Sequence, residues 1–215
     1  MARAVPPAPV SDPRPRRSQE ERSAGTRTRL LDATLESLQA LGYAQTTTTA
    51  VCERAGLSRG AQVHHFPKKQ DLVVSAVAHL AARRAAELRR RAASLPPAAD
   101  PDERLRALLV LVEEAFSGPL FLAALELWVA ARTDPELHRS LVGFERAAGR
   151  ALAGLWREIA GPLARAERFD AVLELTMHLA RGMALQKLLR SDDSERRRLF
   201  ALWRELAAAA LRSDS

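Results

Sequence analysis

The stretch that most constrains this chain is residues 46–66, TTTTAVCERAGLSRGAQVHHF. It reads as two short helices joined by a tight turn. Thr47 can cap the first, because its hydroxyl can accept from an unpaired amide of the first turn. Val51 and Ala55 stand four apart and share a face. Gly56 falls where a helix ends, and a left-handed backbone there costs glycine little. Ser58 is a second cap. It opens a helix over residues 59–66, which Pro67 stops. Two caps around a glycine turn, with Arg, Gln and His on the second helix, predict a helix-turn-helix at 47–66 with a recognition helix.

A helix of this kind must present polar tips to base edges and anchor to phosphates at its ends. Arg59 can reach phosphate or guanine. Gly60 lets the helix start approach the backbone, and Ala61 can meet a thymine methyl. Gln62 is the best base reader, because its amide can pair twice with adenine. His64 is the second candidate. Val63 and Phe66 are expected to point partly into the core.

The motif sits in a longer constellation: Arg29-Leu30-Leu31-Asp32-Ala33, Leu41-Gly42-Tyr43, Thr46-Thr47, Arg54-Ala55-Gly56-Leu57-Ser58-Arg59-Gly60, His65-Phe66, and Lys69 with Leu72. In this order and spacing it resembles the TetR family of transcriptional repressors. The resemblance covers roughly the first third of the chain after its N-terminal tail. It implies an all-α fold with an N-terminal three-helix helix-turn-helix DNA-binding domain and a C-terminal helical ligand-binding and dimerisation domain. It also implies that Thr46, Thr47, His65 and Lys69 hold phosphates, that Tyr43 packs in the small head core, and that a homodimer binds a palindromic double-stranded operator until a small effector releases it. Many members carry a hydroxyl at the position of Ala61 and aromatics where this chain has Val63 and His64. No operator sequence is therefore carried over.

Composition bounds the alternatives. The chain has 215 residues, 47% of them apolar, and a net charge of +7, which suits a polyanionic partner. Arg outnumbers Lys 30 to 3, so part of the excess is a residue preference. Residues 1–72 carry 11 basic and 7 acidic side chains, the remainder 22 and 19, so the N-terminal third is the more basic per residue. The single cysteine, Cys52, excludes an intrachain disulfide framework and reads as a small core residue. No signal peptide and no run of 18 uncharged apolar residues appears, which predicts a cytoplasmic protein without a membrane partner. The sequence has no Gly-rich phosphate loop, no paired-cysteine spacing and no nucleophile motif. His64 and His65 diverge by about 100° around a helix and make no metal pair; His79, His138 and His178 stand alone. Neither an enzyme nor a cofactor or metal is expected. The competing reading is a helical adaptor that acts through protein contacts.

Along the chain, residues 1–20 form a Pro-rich basic tail expected to be disordered. Arg14, Arg16 and Arg17 can enter a minor groove or stay solvated. A DNA-binding domain is expected over 24–84, with a first helix over about 24–41 that Gly42 ends. Arg27 and Arg29 near its start are phosphate or solvent candidates. A regulatory and dimerisation domain is expected over 85–215. A long helix over about 68–93 links the two, and residues 94–100 break it. Asp134-Pro135-Glu136 is a strong helix start. Phe121, Leu125, Trp128, Phe144, Met177 and His178 are the candidate lining for a hydrophobic effector. Glu126 can meet an effector cation, Arg181 or His178, but is expected to face water. The last two helices are apolar over wide faces. Leu173, Leu188, Leu199, Trp203, Leu206 and Ala210 are the candidate dimer contacts.

Overall fold

The computed structural model describes residues 18–93, 100–116, 118–189 and 192–212, and every regular element among them is helical. The elements are α1 (Gln19–Gln45), α2 (Thr48–Ala55), α3 (Arg59–His65), α4 (Lys69–Ala93), α5 (Pro101–Ala115), α6 (Pro119–Ala131), α7 (Pro135–Ala160), a 3-10 turn (Gly161–Arg165), α8 (Phe169–Lys187) and α9 (Ser194–Arg212). The tail expected over residues 1–20 lies outside the described residues except for its last three, which are ordered by a capping box. The Ser18 hydroxyl accepts from the Glu21 amide at 3.1 Å, and the Glu21 carboxylate accepts from the Ser18 amide at 2.7 Å. The helix therefore starts at Gln19 rather than near 24; the Ser-x-x-Glu pattern was present to be read. Residues 94–99 also lie outside the described set.

Three apolar clusters organise the chain. The head core joins Leu30, Leu31 and Leu35 of α1 to Val51 and Ala55 of α2, Phe66, and Leu72 and Ala76 of α4. Thr34 and Ser37 are buried beside it, and each hydroxyl donates to the carbonyl four residues back, at 2.7 and 2.9 Å. The body core joins α5, α7, α8 and α9 through Leu108, Val112, Trp156, Phe169, Val172 and Phe200, and takes Leu88 from α4. Between them, Leu38 and Tyr43 meet Val73, Val74 and Val77 of α4, Ala123 and Leu127 of α6, and Leu137 and Leu141 of α7. As expected, α4 is the link: successive turns of it feed all three clusters.

The middle cluster carries a polar junction. Gly42 interrupts α1 with φ 72° and ψ 176°, a conformation open almost only to glycine. The break frees the Tyr43 amide, which donates to the Glu126 carboxylate of α6 at 3.1 Å. Glu126, expected to face water in preference to pairing with a cation, Arg181 or His178, is thus a partner of the head; the reason is an amide 83 residues away that no local pattern reveals. The Tyr43 hydroxyl donates to Asp134 Oδ2 at 2.9 Å, and the Gln70 amide donates to the same oxygen at 3.2 Å. Asp134 also caps α7, accepting from the amides of Glu136 and Leu137 at 3.0 and 2.9 Å, as its sequence predicts. The bond from the Leu137 amide leads the causes that hold this carboxyl below the usual carboxylate range, with Tyr43 and Gln70 adding to it. Burial, then the Asp134 bond and charge, push the Tyr43 phenol up.

A side chain at position 42 would meet both obstacles, since its Cβ would stand 3.0 Å from Glu126 Oε2 on a backbone that L-residues avoid. Gly42→Ala should destabilise the protein by about 1–3 kcal/mol, measured by urea unfolding. An unchanged midpoint would contradict the role given to this break.

Candidate nucleic-acid interface

The helix-turn-helix forms as its local chemistry requires. Thr47 caps α2, its hydroxyl accepting from the Ala50 amide at 3.1 Å. Gly56 ends α2 in the left-handed conformation, φ 61° and ψ 42°. Arg29 of α1 donates to the Ala55 carbonyl at 2.5 Å and to the Gly56 carbonyl at 3.3 Å. A cation at a helix C-terminus meets its partial negative charge, so Arg29 braces the turn. Ser58 caps α3, accepting from the Ala61 amide at 3.2 Å. Phe66 is buried, with the Arg27 guanidinium 5.2 Å from its ring centroid. Cys52 is buried in this motif, and burial leads the causes that push its thiol up.

The faces of α3 differ from expectation. Gln62, read as the best base reader, is 2% exposed, and its side-chain amide donates to the Phe66 carbonyl. It is a structural residue in this conformation. Positions 62 and 66 share a helical face, Phe66 is fixed in the core, and Pro67 cannot continue the helix to use that region's carbonyls. Gln62 satisfies one of them. The same phase turns Val63 outward, 47% exposed, although it was expected to point partly inward. The outward face is therefore Arg59 with Val63, and Gly60 with His64, two pairs at i, i+4. Ala61 is half-buried at the edge of this face.

The four phosphate candidates also divide. Thr47 is exposed, beside an exposed Thr49. His65 is half-buried next to His64, ring centroids 5.2 Å apart; desolvation, then the charges of His64 and Arg27, lower its pKa. Thr46 is 1% exposed, and its hydroxyl donates to the Gly42 carbonyl at 2.8 Å, which closes the end of α1 and removes that side chain from the surface. Lys69 is half-buried, donates to the Tyr43 carbonyl at 2.8 Å and lies 4.1 Å from the Tyr43 ring centroid. Burial lowers its pKa. Its ammonium is a brace of the junction first, with N–H groups left over for a phosphate.

In the body, the six candidate lining residues do not assemble. Phe121 lines a cavity of about 220 Å³ together with Phe116, Leu122, Ala180 and Met183. Leu125 and Met177 pack on the body core, and Phe144 and Trp128 pack on the junction cluster. The Trp128 indole donates to Glu145 at 2.6 Å. His178 is exposed and faces Glu174 at 3.8 Å, so it lines nothing. Phe116 and Met183 were missed because each also reads as an ordinary position in an apolar stripe.

The dimer candidates need similar correction. Leu173 is buried in the protomer's own core, and Trp203 donates to Thr176 Oγ1 of the same chain at 2.8 Å. Leu199 and Ala210 pack partly against that core. Leu188 and Leu206 are exposed, in the company of Leu175, Leu185 and Leu202, which are not among the six candidates.

A three-helix head presenting the second helix of a capped helix-turn-helix, braced on a helical body, is the architecture of a DNA-binding transcriptional regulator. The comparisons with known proteins agree. The family described as bacterial regulatory proteins, tetR family, matches residues 30–76. The HTH-type transcriptional regulator CymR of Pseudomonas putida is 33% identical over 182 residues, 82% of this chain and 86% of that protein. The HTH-type transcriptional regulator BetI of Paraburkholderia xenovorans is 35% identical over 117 residues, 53% of this chain and 58% of that one. A TetR transcription regulator from Haloarcula marismortui shares the fold, with a TM-score of 0.64 at 17% identity over 89% of this chain and 98% of that one. The chain belongs to the TetR family. It is a transcriptional regulator and not an enzyme.

The two faces of α3 give opposite expectations. Gln62→Ala removes a buried hydrogen bond and should cost about 1–3 kcal/mol of stability, while the preferred DNA sequence stays the same. His64→Ala should leave stability unchanged and relax discrimination at one base position by about 1–3 kcal/mol. Urea unfolding beside binding to a set of single-base operator variants separates them. Loss of discrimination with Gln62→Ala at full stability would reverse the assignment.

Proposed function

We propose that this regulator is a repressor that binds a palindromic operator as a homodimer and is released by a small, largely apolar effector. The observation that carries the reading is the outward row of α3, where Arg59, Gly60, Val63 and His64 face away from the head core. Arg59 and His64 supply base or phosphate donors, and Val63 suits a thymine methyl. Thr47, His65 and the free N–H groups of Lys69 flank this row for phosphates. Residues 24–84 act as the reading head and residues 85–215 as the regulatory and dimerisation part. The protein works in the cytoplasm, where its DNA is. Among the described residues no single helix is long and apolar enough to cross a membrane.

The second copy covers the exposed leucines of α8 and α9. Leu175 and Leu185 lie on the first, Leu188 just past its end, and Leu202 and Leu206 on the second. Fully burying one such side chain contributes about 1.5–3 kcal/mol, and a twofold axis buries each of them twice over. The two heads then meet successive major grooves about 34–36 Å apart. An effector lowers DNA affinity by its preference for another head spacing, and by no more than that.

Selection of the purified protein on a random duplex library tests this reading. The expected product is a palindrome with half-sites about one helical turn apart. Leu202→Glu/Leu206→Glu should sediment as a folded monomer and fail to select it. Weak retention that is independent of sequence and vanishes with salt would favour the adaptor reading instead.

A further inference from the structure

We propose that Arg181 anchors the acid group of a small amphipathic anion, a carboxylate with a compact apolar body, in the cleft between α5, α6 and α8. The inference rests on the effector reading above and names the chemistry of the effector.

Arg181 lies on α8 with its guanidinium carbon 5.4 Å from the Phe116 ring centroid and 5.0 Å from that of Trp128. Its Nε is shielded from solvent and has no hydrogen-bond partner. Several other arginines of the body are paired, among them Arg84 with Glu87, Arg157 with Asp170 and Arg212 with Asp102. Two carboxylates close to Trp128, one bonded to its indole and one two residues before it, are engaged. Glu145 accepts from the Trp128 indole at 2.6 Å, and Glu126 accepts from the Tyr43 amide. Among the described residues no carboxylate forms an ion pair with Arg181. A partly desolvated guanidinium without a partner is costly, and an apolar side chain of similar length would serve packing better. The guanidinium carbon lies over both rings, and the buried Nε–H is a donor that a carboxylate fork would satisfy.

The space for the rest of the ligand is reached past the Phe116 ring, and Arg181 itself is not among the residues that line it. Phe116, one of the two rings beside Arg181, also lines the 220 Å³ cavity, as does Ala180, its neighbour on α8. Phe121, Leu122 and Met183 supply apolar walls, and the Phe116 and Phe121 rings meet edge to face at 6.2 Å. The charged residues on this wall are Glu113, Lys187 and Arg196. Arg196 is paired with Glu113 and with Asp193, and Lys187 brings these four charges to zero, so Arg181 is the added cation beside the wall. A volume of this size is below that of drug-sized pockets, so the body must be small. A cation would be repelled by Arg181, and an alcohol would leave half of its fork unused.

The test is thermal unfolding of the full-length protein with hexanoate, cyclohexanecarboxylate and phenylacetate, each beside its matched alcohol and amine. At least one carboxylate should raise the Tm by several degrees, while its alcohol and amine do not. Ligand-free Arg181→Met should melt at or above the wild-type temperature, because an unpaired guanidinium has been removed, and should lose the carboxylate response. Arg181→Lys should keep it with at least ten-fold weaker affinity. The inference is overturned if no carboxylate shifts the Tm, if Arg181→Met responds like wild type, or if ligand-free Arg181→Met melts well below wild type. Stabilisation by the alcohols or amines alone would overturn the anionic site and leave the effector reading standing. A carboxylate that binds through Arg181 without lowering operator affinity would do the reverse.

Discussion

One backbone amide holds the two halves of this protein in register. Gly42 takes a conformation that other residues avoid, α1 breaks, and the Tyr43 N–H is turned out of the helix toward Glu126 of α6. Around that bond the head offers Tyr43, Lys69 and Gln70, and the body offers Glu126 and Asp134. An apolar cluster from α1, α4, α6 and α7 excludes water beneath it. Low local dielectric strengthens such bonds and raises the cost of leaving any of them unmade. Head orientation is therefore a property of the body's surface as much as of the linking helix.

That arrangement gives α6 a double role. Glu126 reaches the head, while Phe121 and Trp128 on the same helix face the cavity and Arg181. Asp134 caps α7 at the end that follows α6 and takes the Tyr43 hydroxyl. A ligand that displaced α6 by a fraction of an ångström would act on the junction directly. Packed interfaces respond to such shifts by switching between arrangements rather than by bending. The geometry thus supplies a short mechanical route between the proposed effector site and the reading face of α3.

What was legible in the sequence was local. Thr47, Gly56, Ser58 and Asp134 act within three or four residues of themselves, so their caps and turns could be read from spacing, and α4 and the start of α7 fall close to their expected limits. The phase of α3 was not legible. Seven residues make barely two turns, and an apolar Val63 beside a polar Gln62 suggested the wrong inward residue. The deciding facts were the depth of Phe66 and a carbonyl left over before Pro67. Glu126 and Arg29 were illegible for a different reason, because their partners lie 83 and 26 residues away. The broad apolar faces of α8 and α9 were visible, but sequence could not divide them between the protomer's own core, which takes Leu173, and the surface, which keeps Leu175 and Leu202.

The central claim is that head and body are one cooperative unit joined at Tyr43. All three tryptophans, Trp128, Trp156 and Trp203, lie in the body, whereas circular dichroism reports the helices of both halves. The most direct test is to follow urea unfolding by both signals. The account predicts superimposable transitions for the wild type and separated ones, with the head melting first, for Glu126→Gln/Asp134→Asn. A wild-type protein whose helical signal begins to fall well before its tryptophan signal would contradict it.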